Sequence, residues 1–264
     1  MHPPHDIRRS RGHAPETDTR YYQVLGSQVM AGSGLLRGGI MVESSDRRDA
    51  IRALQGRLDE FDFSRLTNSR VHILRVFLEL ATREGYSSAS MRTLAKELDI
   101  KAPSLYSHFP GGRDEMVSAA LMWHHNGFYS AVLGALVDAE TPDEAWDTII
   151  SVHVRRQLMM PEYDMIDLLI ASDRHSGVLQ DDVRTTLIQL HSLYSALFET
   201  TAREMGYSTG VEDAVAMIVS FLDGVSSWSR WDGSIETVDE IVVKATAVSR
   251  SILDVQARLE VSSR

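Results

Sequence analysis

From residue 45 onward, apolar residues recur at three- and four-residue intervals, with no run alternating in the manner of a strand. Ile51, Leu54, Leu58 and Phe61 form the first stripe, among Arg47, Arg48, Arg52 and Arg57, and predict a helix from Ser45. Ile73, Phe77, Leu80 and Ala81 form a second, with Ser69 placed to cap it and Gly85 to end it. A third, shorter stripe of Met91, Leu94, Ala95 and Leu98 opens at Ser90. Asp99 falls where the chain must turn, and aspartate tolerates left-handed backbone better than most non-glycine residues. Pro103 suits the start of the next helix, where its missing N–H is harmless. Leu105 and Phe109, four apart, give that helix a buried side, and Pro110-Gly111-Gly112 ends it.

Long helical patterns follow over residues 113–138, 142–160, 164–172, 180–205, 211–231 and 237–259. Breaks are expected at Thr141-Pro142, Pro161, Ser176-Gly177, Gly206 and Gly233. The expected fold class is all-α: an extra N-terminal helix within residues 45–64, three short helices within 65–112, then a larger bundle over 113–264. Residues 1–44 lack periodicity, and their Pro-Pro pair, Arg8, Arg9, Arg11 and the run GSGLLRGG predict a disordered arm. Gly32 to Gly39 loosely resembles a phosphate-cradling loop but lacks the strand–turn–helix setting such a loop needs. A chain starting at Met41 is a second reading of the same stretch.

Composition narrows the function classes. The chain has 264 residues, 43% hydrophobic and 24% charged, which is ordinary for a globular protein. It has no cysteine, which excludes disulfides, thiolate metal sites and a cysteine nucleophile. No apolar run approaches the roughly 18 residues of a membrane helix, and no apolar segment follows the N-terminal arginines as in a secretory signal. The expected location is cytoplasmic, with no membrane partner. Charge is unevenly spread: residues 65–112 hold seven Arg/Lys against four Asp/Glu, net +3, whereas residues 113–264 hold eleven against twenty-four, net −13. A basic segment beside an acidic body suits a protein that meets a polyanion at one end, although chance clustering gives the same numbers.

The basic segment has the spacing of a helix-turn-helix: a two-turn helix, a tight turn and a second short helix whose N-terminal half can enter a DNA major groove. With Leu105 and Phe109 inward, Lys101, Ala102, Pro103, Ser104, Ser107 and His108 remain available to DNA, with Tyr106 along the flank. Small residues and hydroxyls suit base edges, whereas tyrosine, histidine and lysine suit phosphate oxygens. Ser90 and Arg92, at the start of the preceding helix, complete the DNA-facing set.

The segment Ser69–Phe109 resembles the DNA-binding domain of the TetR family of transcriptional regulators. The matching residues are Glu84-Gly85-Tyr86, Leu94-Ala95 and Leu105-Tyr106-Ser107-His108-Phe109. The likeness is close over about fifty residues and extends to the rest only in its helical layout. Three departures stand out. Asp99 replaces the usual glycine, and Lys101 replaces a serine or threonine, leaving the recognition helix without a side-chain cap of its own. The family's continuation after the final phenylalanine is one residue longer here, FPGGRDEMV, so its phosphate-binding lysine is carried onto Arg113, where free helix N–H groups could also face phosphate.

The resemblance implies that residues 113–264 bind a ligand and form a homodimer. A dimer also follows from the size of the task, because one short helix reads too few base pairs to find a site, while two on a two-fold axis read a palindrome. Val215, Ile218, Leu222 and Val225 form one stripe, and Ile241, Ala245, Val248 and Ile252 another. The pattern alone favours intrachain core; the resemblance favours pairing with a second copy.

Aromatic residues, methionines and histidines gather in the middle helices and suit either a bundle core or a pocket for an apolar molecule. The ligand-contact candidates are Trp123, His124, Phe128, His153, Met159, Tyr163, His191, Tyr194 and Trp228, with His124, His153 and Tyr194 as polar anchors. No metal or other cofactor is expected: His124 and His125 are adjacent and point to different faces, and no HExxH pattern occurs. An enzyme is not expected either, since Glu162, Asp164 and Asp167 sit at a helix start, where carboxylates are favoured for dipole reasons.

The leading expectation is a ligand-responsive repressor that binds a palindromic double-stranded DNA operator as a homodimer and is released by a small, mainly apolar or aromatic effector. The alternative is a DNA-binding helical regulator or scaffold without a ligand. The arginine-bearing arm either reaches into the minor groove or is inert.

Overall fold

The computed structural model describes residues 45–61, 66–160, 162–176 and 179–262; the arm expected over residues 1–44 lies outside them. The described residues form eleven α-helices and two short 3-10 turns, with no strand. Helix α1 spans Ser45–Asp59 and α2 spans Asn68–Glu84. The cap of α2 is Thr67, whose hydroxyl accepts the Arg70 N–H at 3.3 Å, and not the expected Ser69, which lies inside the first turn. Gly85 ends α2 at φ 85°, left-handed backbone that a side chain would strain. After a 3-10 turn at Tyr86–Ser88 come α3, Met91–Glu97, and α4, Ala102–His108.

The remaining helices are α5, Gly112–Ala135; α6, Pro142–Met159; α7, Glu162–Ser176; α8, Asp181–Glu204; α9, Val211–Asp223; α10, Val225–Ser229; and α11, Ile235–Ser262. The period over 211–231 reads as one helix, but the chain breaks at Gly224, whose N–H still bonds the Ser220 carbonyl at 3.2 Å. Glycine is the weakest ordinary helix former, and here it lets α10 leave the axis of α9.

The described residues pack around two apolar centres. One joins Ile73, Phe77 and Leu80 of α2, Leu94 of α3, Leu105 and Phe109 to Met116 and Leu121 of α5, Ile166 of α7, and Val183 and Leu187 of α8. The three short helices therefore share their interior with the body. The other core centres on Trp146 of α6, which meets the Phe198 ring edge-on at 5.2 Å and donates its indole N–H to Ser249 at 3.1 Å. The stripe of Val215, Ile218 and Leu222 on α9, continued by Val225 of α10, is buried there within the chain, as are Ile241 and Ala245 of α11, while Val248 and Ile252 are half-buried.

Helix α1 packs on α8 and α5 through Ala50, Leu54 and Leu58. Arg47, only 2% exposed, pairs with Glu204 at 3.5 Å and donates to the Thr141 carbonyl at 3.2 Å. Part of the N-terminal positive charge is thus bound to the acidic body.

Candidate nucleic-acid interface

Ser90 opens α3 through a capping box: its hydroxyl accepts the Thr93 N–H at 3.2 Å, while its own N–H donates to the Thr93 hydroxyl at 2.8 Å. The helix ends with Asp99 at φ 52°, the Ile100 N–H bonding the Ala95 carbonyl at 3.0 Å and the Asp99 N–H bonding Lys96 at 3.2 Å. This pair of bonds is a Schellman ending with aspartate where glycine is usual. Lys101 then starts α4 without a side-chain cap, and Pro103 lies in its first turn.

Leu105 and Phe109 are fully buried, and the Arg70 guanidinium lies 4.7 Å above the Phe109 ring. Lys101, Ala102, Pro103, Ser104, Tyr106 and Ser107 are all exposed, and His108 is half-buried. The Ser107 hydroxyl donates to the Ser104 carbonyl at 2.6 Å, which leaves its lone pairs facing outward. Arg92 and Lys96 of α3 are exposed as well. The result is a short rod held by two large anchors, with a polar, cationic edge that no other described residue covers.

Arg113, expected to meet a phosphate, is engaged within the protein. Its Nε donates to the Ala89 carbonyl at 3.1 Å and its Nη2 to the Tyr86 carbonyl at 2.7 Å, with the guanidinium 4.1 Å above the Tyr86 ring. It fastens α5 to the turn before α3. The α5 N-terminus is occupied too: Glu115 accepts the Gly111 N–H at 2.7 Å and pairs with Arg70 at 3.1 Å. A carboxylate stands where an approaching anion would have to sit.

In the body, five of the ligand-contact candidates meet in one ring cluster. Phe128 lies edge-on to His153 at 5.3 Å, to Tyr163 at 5.8 Å and to Tyr194 at 5.4 Å, and His124 lies 3.9 Å from Tyr163. His153 uses both ring nitrogens, Nδ1 with the Tyr194 hydroxyl and Nε2 with Asp223, each at 3.1 Å. Burial, with His125 and Arg156 beside it, pushes the His124 imidazole well below its ordinary range, so it is neutral at pH 7. Burial raises the Tyr129 and Tyr194 hydroxyls, and with Asp223 nearby it pushes the Asp167 carboxyl up to about 6.

Residues 73–120 match the family model described as bacterial regulatory proteins, tetR family. The matched span runs from α2 into the start of α5 and contains the whole helix-turn-helix. That span is a TetR-type DNA-binding domain. Among solved structures, a tetR-family regulatory protein from Rhodococcus RHA1 is similar at TM-score 0.59 and 14% identity, covering 72% of this chain and 97% of that one. The regulator PfmR from Thermus thermophilus is similar at TM-score 0.54 and 24% identity, covering 70% and 97%. The superantigen PfiT is similar at TM-score 0.55 and 20% identity, covering 69% and 95%. Likeness at this level establishes the fold alone, and the family-model match marks residues 73–120 as a DNA-binding domain of bacterial regulatory proteins. No curated protein matches it in sequence. No helix among the described residues is long and apolar enough to cross a membrane.

Within the helical body, four ligand-contact candidates lie away from the rings. His191 is exposed on α8. Trp123 packs against the core shared with the short helices. Trp228 stacks on Phe221 at 4.5 Å and donates to the Phe221 carbonyl at 2.8 Å. Met159 is half-buried at the end of α6, and its neighbour Met160 is the one drawn inward, touching Arg156. Sequence reasoning passed over Tyr129, Arg156, Gln157 and Asp223. Arginine, glutamine and aspartate at helical spacing look like a solvated face, and only the crossing of α5, α6, α8 and α9 buries Arg156 and Gln157 and brings the half-exposed Asp223 to His153.

Proposed function

We propose that this regulator is a cytoplasmic repressor that binds an inverted-repeat operator as a homodimer and is released by a small, mainly apolar or aromatic effector held in the ring cluster. The carrying observation is α4 itself, anchored by Leu105 and Phe109 with Lys101–Ser104, Tyr106 and Ser107 facing outward. Ser90, Arg92 and His108 border that edge, while Arg113 acts behind it as a clip. Pairing of two copies is supported by neighbouring exposed apolar side chains on α9 and α11: Met217, Val255 and Leu259, with Gln256 donating to the Met217 sulfur at 3.3 Å. A two-fold axis there would give each recognition helix one half-site.

Release follows from linkage. The effector weakens operator binding only as far as it prefers the conformer that does not fit DNA. The shared core of α2–α5 with α7 and α8 offers a packed route from the cluster to the recognition helix. Footprinting of the purified chain should protect two half-sites about 34 Å apart, or a multiple of that spacing, and apolar compounds should lower affinity in a mobility-shift assay. Protection of a single half-site by a monomer, or indifference to every apolar compound, overturns the respective part. A second reading, a DNA-binding regulator without a ligand, is favoured by the close packing of the rings. A crystal of cell-purified protein without foreign density among them would support it.

A further inference from the structure

Two arginines are buried among the described residues, Arg47 at 2% exposure and Arg156 at 4%. They are treated differently. Arg47 meets the Glu204 carboxylate. Arg156 Nη1 donates only to the Tyr163 hydroxyl at 3.4 Å and to the Met160 sulfur at 3.7 Å, and no described carboxylate lies within ion-pair distance of its guanidinium. A buried guanidinium without a counter-charge lowers stability until something supplies one.

The same place holds a second unanswered group. His124 is 4% exposed, its Nε2 is buried without a hydrogen-bond partner, and its ring lies against Tyr163, the phenol that Arg156 also touches. The nearby acids are engaged elsewhere: Asp164 and Asp167 accept from Gln157 at 3.3 and 2.9 Å, Asp223 from His153, and the buried Glu162 has a partner of its own.

Resting on the reading of this body as effector-binding, we infer that the effector carries a carboxylate, seated on Arg156 and His124 Nε2, with an apolar ring system against Phe128, Tyr129 and Tyr194. A carboxylate accepts from a guanidinium and from a neutral imidazole N–H at once, and its single charge matches the single cation. A neutral ligand would leave the guanidinium uncompensated. A phosphate monoester would bring a second charge and more oxygens than two donors satisfy.

The test is calorimetric binding of phenylacetate and 1-naphthoate to the full chain, each beside its primary amide, together with naphthalene and with operator release read in parallel. Each acid should bind about tenfold or more tightly than its amide, reflecting one charge-assisted contact. Arg156→Met should abolish that preference, and without ligand it should melt no lower than wild type, because the uncompensated charge is gone. Should Arg156→Met not fold, the acid-to-amide ratio in the wild-type chain decides alone. If amides bind and release operator as well as acids do, or if Arg156→Met keeps the preference, the carboxylate inference falls and the effector reading stands. If acids, amides and naphthalene all fail to bind, the effector reading falls with it.

Discussion

Replacing Arg113 with methionine separates the two roles this side chain could have. Methionine keeps much of the stem but removes two hydrogen bonds to the Tyr86 and Ala89 carbonyls and the contact with the Tyr86 ring. Hydrogen bonds from a charged donor contribute about 1.5–3 kcal/mol each when enclosed, and an exposed cation–π contact about 0.5–1 kcal/mol. Arg113 is half-buried and water can re-solvate the freed carbonyls, so the expected loss is about 2–3 kcal/mol, below the sum of the parts. For a chain of this size that corresponds to a melting temperature lower by roughly 5–10 °C. The companion measurement is the salt dependence of operator binding. A phosphate contact contributes about 0.9 to the slope of log K against log salt. A clip predicts lost stability and an unchanged slope wherever the protein remains folded. Lysine, with its charge but no fork, should recover little stability. Unaltered melting with a slope reduced by about one would refute the clip and restore the phosphate role.

Lys101→Ala and Tyr106→Ala remove exposed side chains, so unfolding should shift by less than about 0.5 kcal/mol. Operator affinity should nevertheless fall, with the salt slope reduced by about 0.9 for Lys101; unchanged affinity for both would show that α4 does not meet DNA. Asp99→Gly relieves a left-handed aspartate at φ 52° and should raise stability by about 0.5–1 kcal/mol in denaturant titration, strain relief outweighing the added freedom of the unfolded chain. Asp167 has a folded pKa near 6 against an ordinary 3.8, so the folded state holds its proton more tightly than the unfolded one. Its contribution is therefore neutral below about pH 4 and turns unfavourable as pH rises through 6. Asp167→Asn should gain on wild type over that interval, by on the order of 2 kcal/mol at pH 8; a constant difference between the two proteins from pH 4 to 8 would contradict this.

The helix-turn-helix was legible because its signals are local. Ser90, Asp99, Pro103 and the Leu105–Phe109 spacing act within a few residues of themselves, and the structure places each as that chemistry requires. The exceptions were also local. Two hydroxyls compete near the start of α2 and the extended one, Thr67, takes the cap; Gly224 splits a period that apolar spacing alone carries through.

The all-α class, the order of helices and the outward edge of α4 were set by periodicity and caps, which involve neighbours along the chain. Which aromatic residues would meet, that the α9 stripe would face inward, and that Arg113 would reach back to Tyr86 were decided by tertiary structure. Those contacts join residues tens of positions apart, and stripes on α5, α6, α8 and α9 look alike until the angles at which the helices cross determine what each one faces.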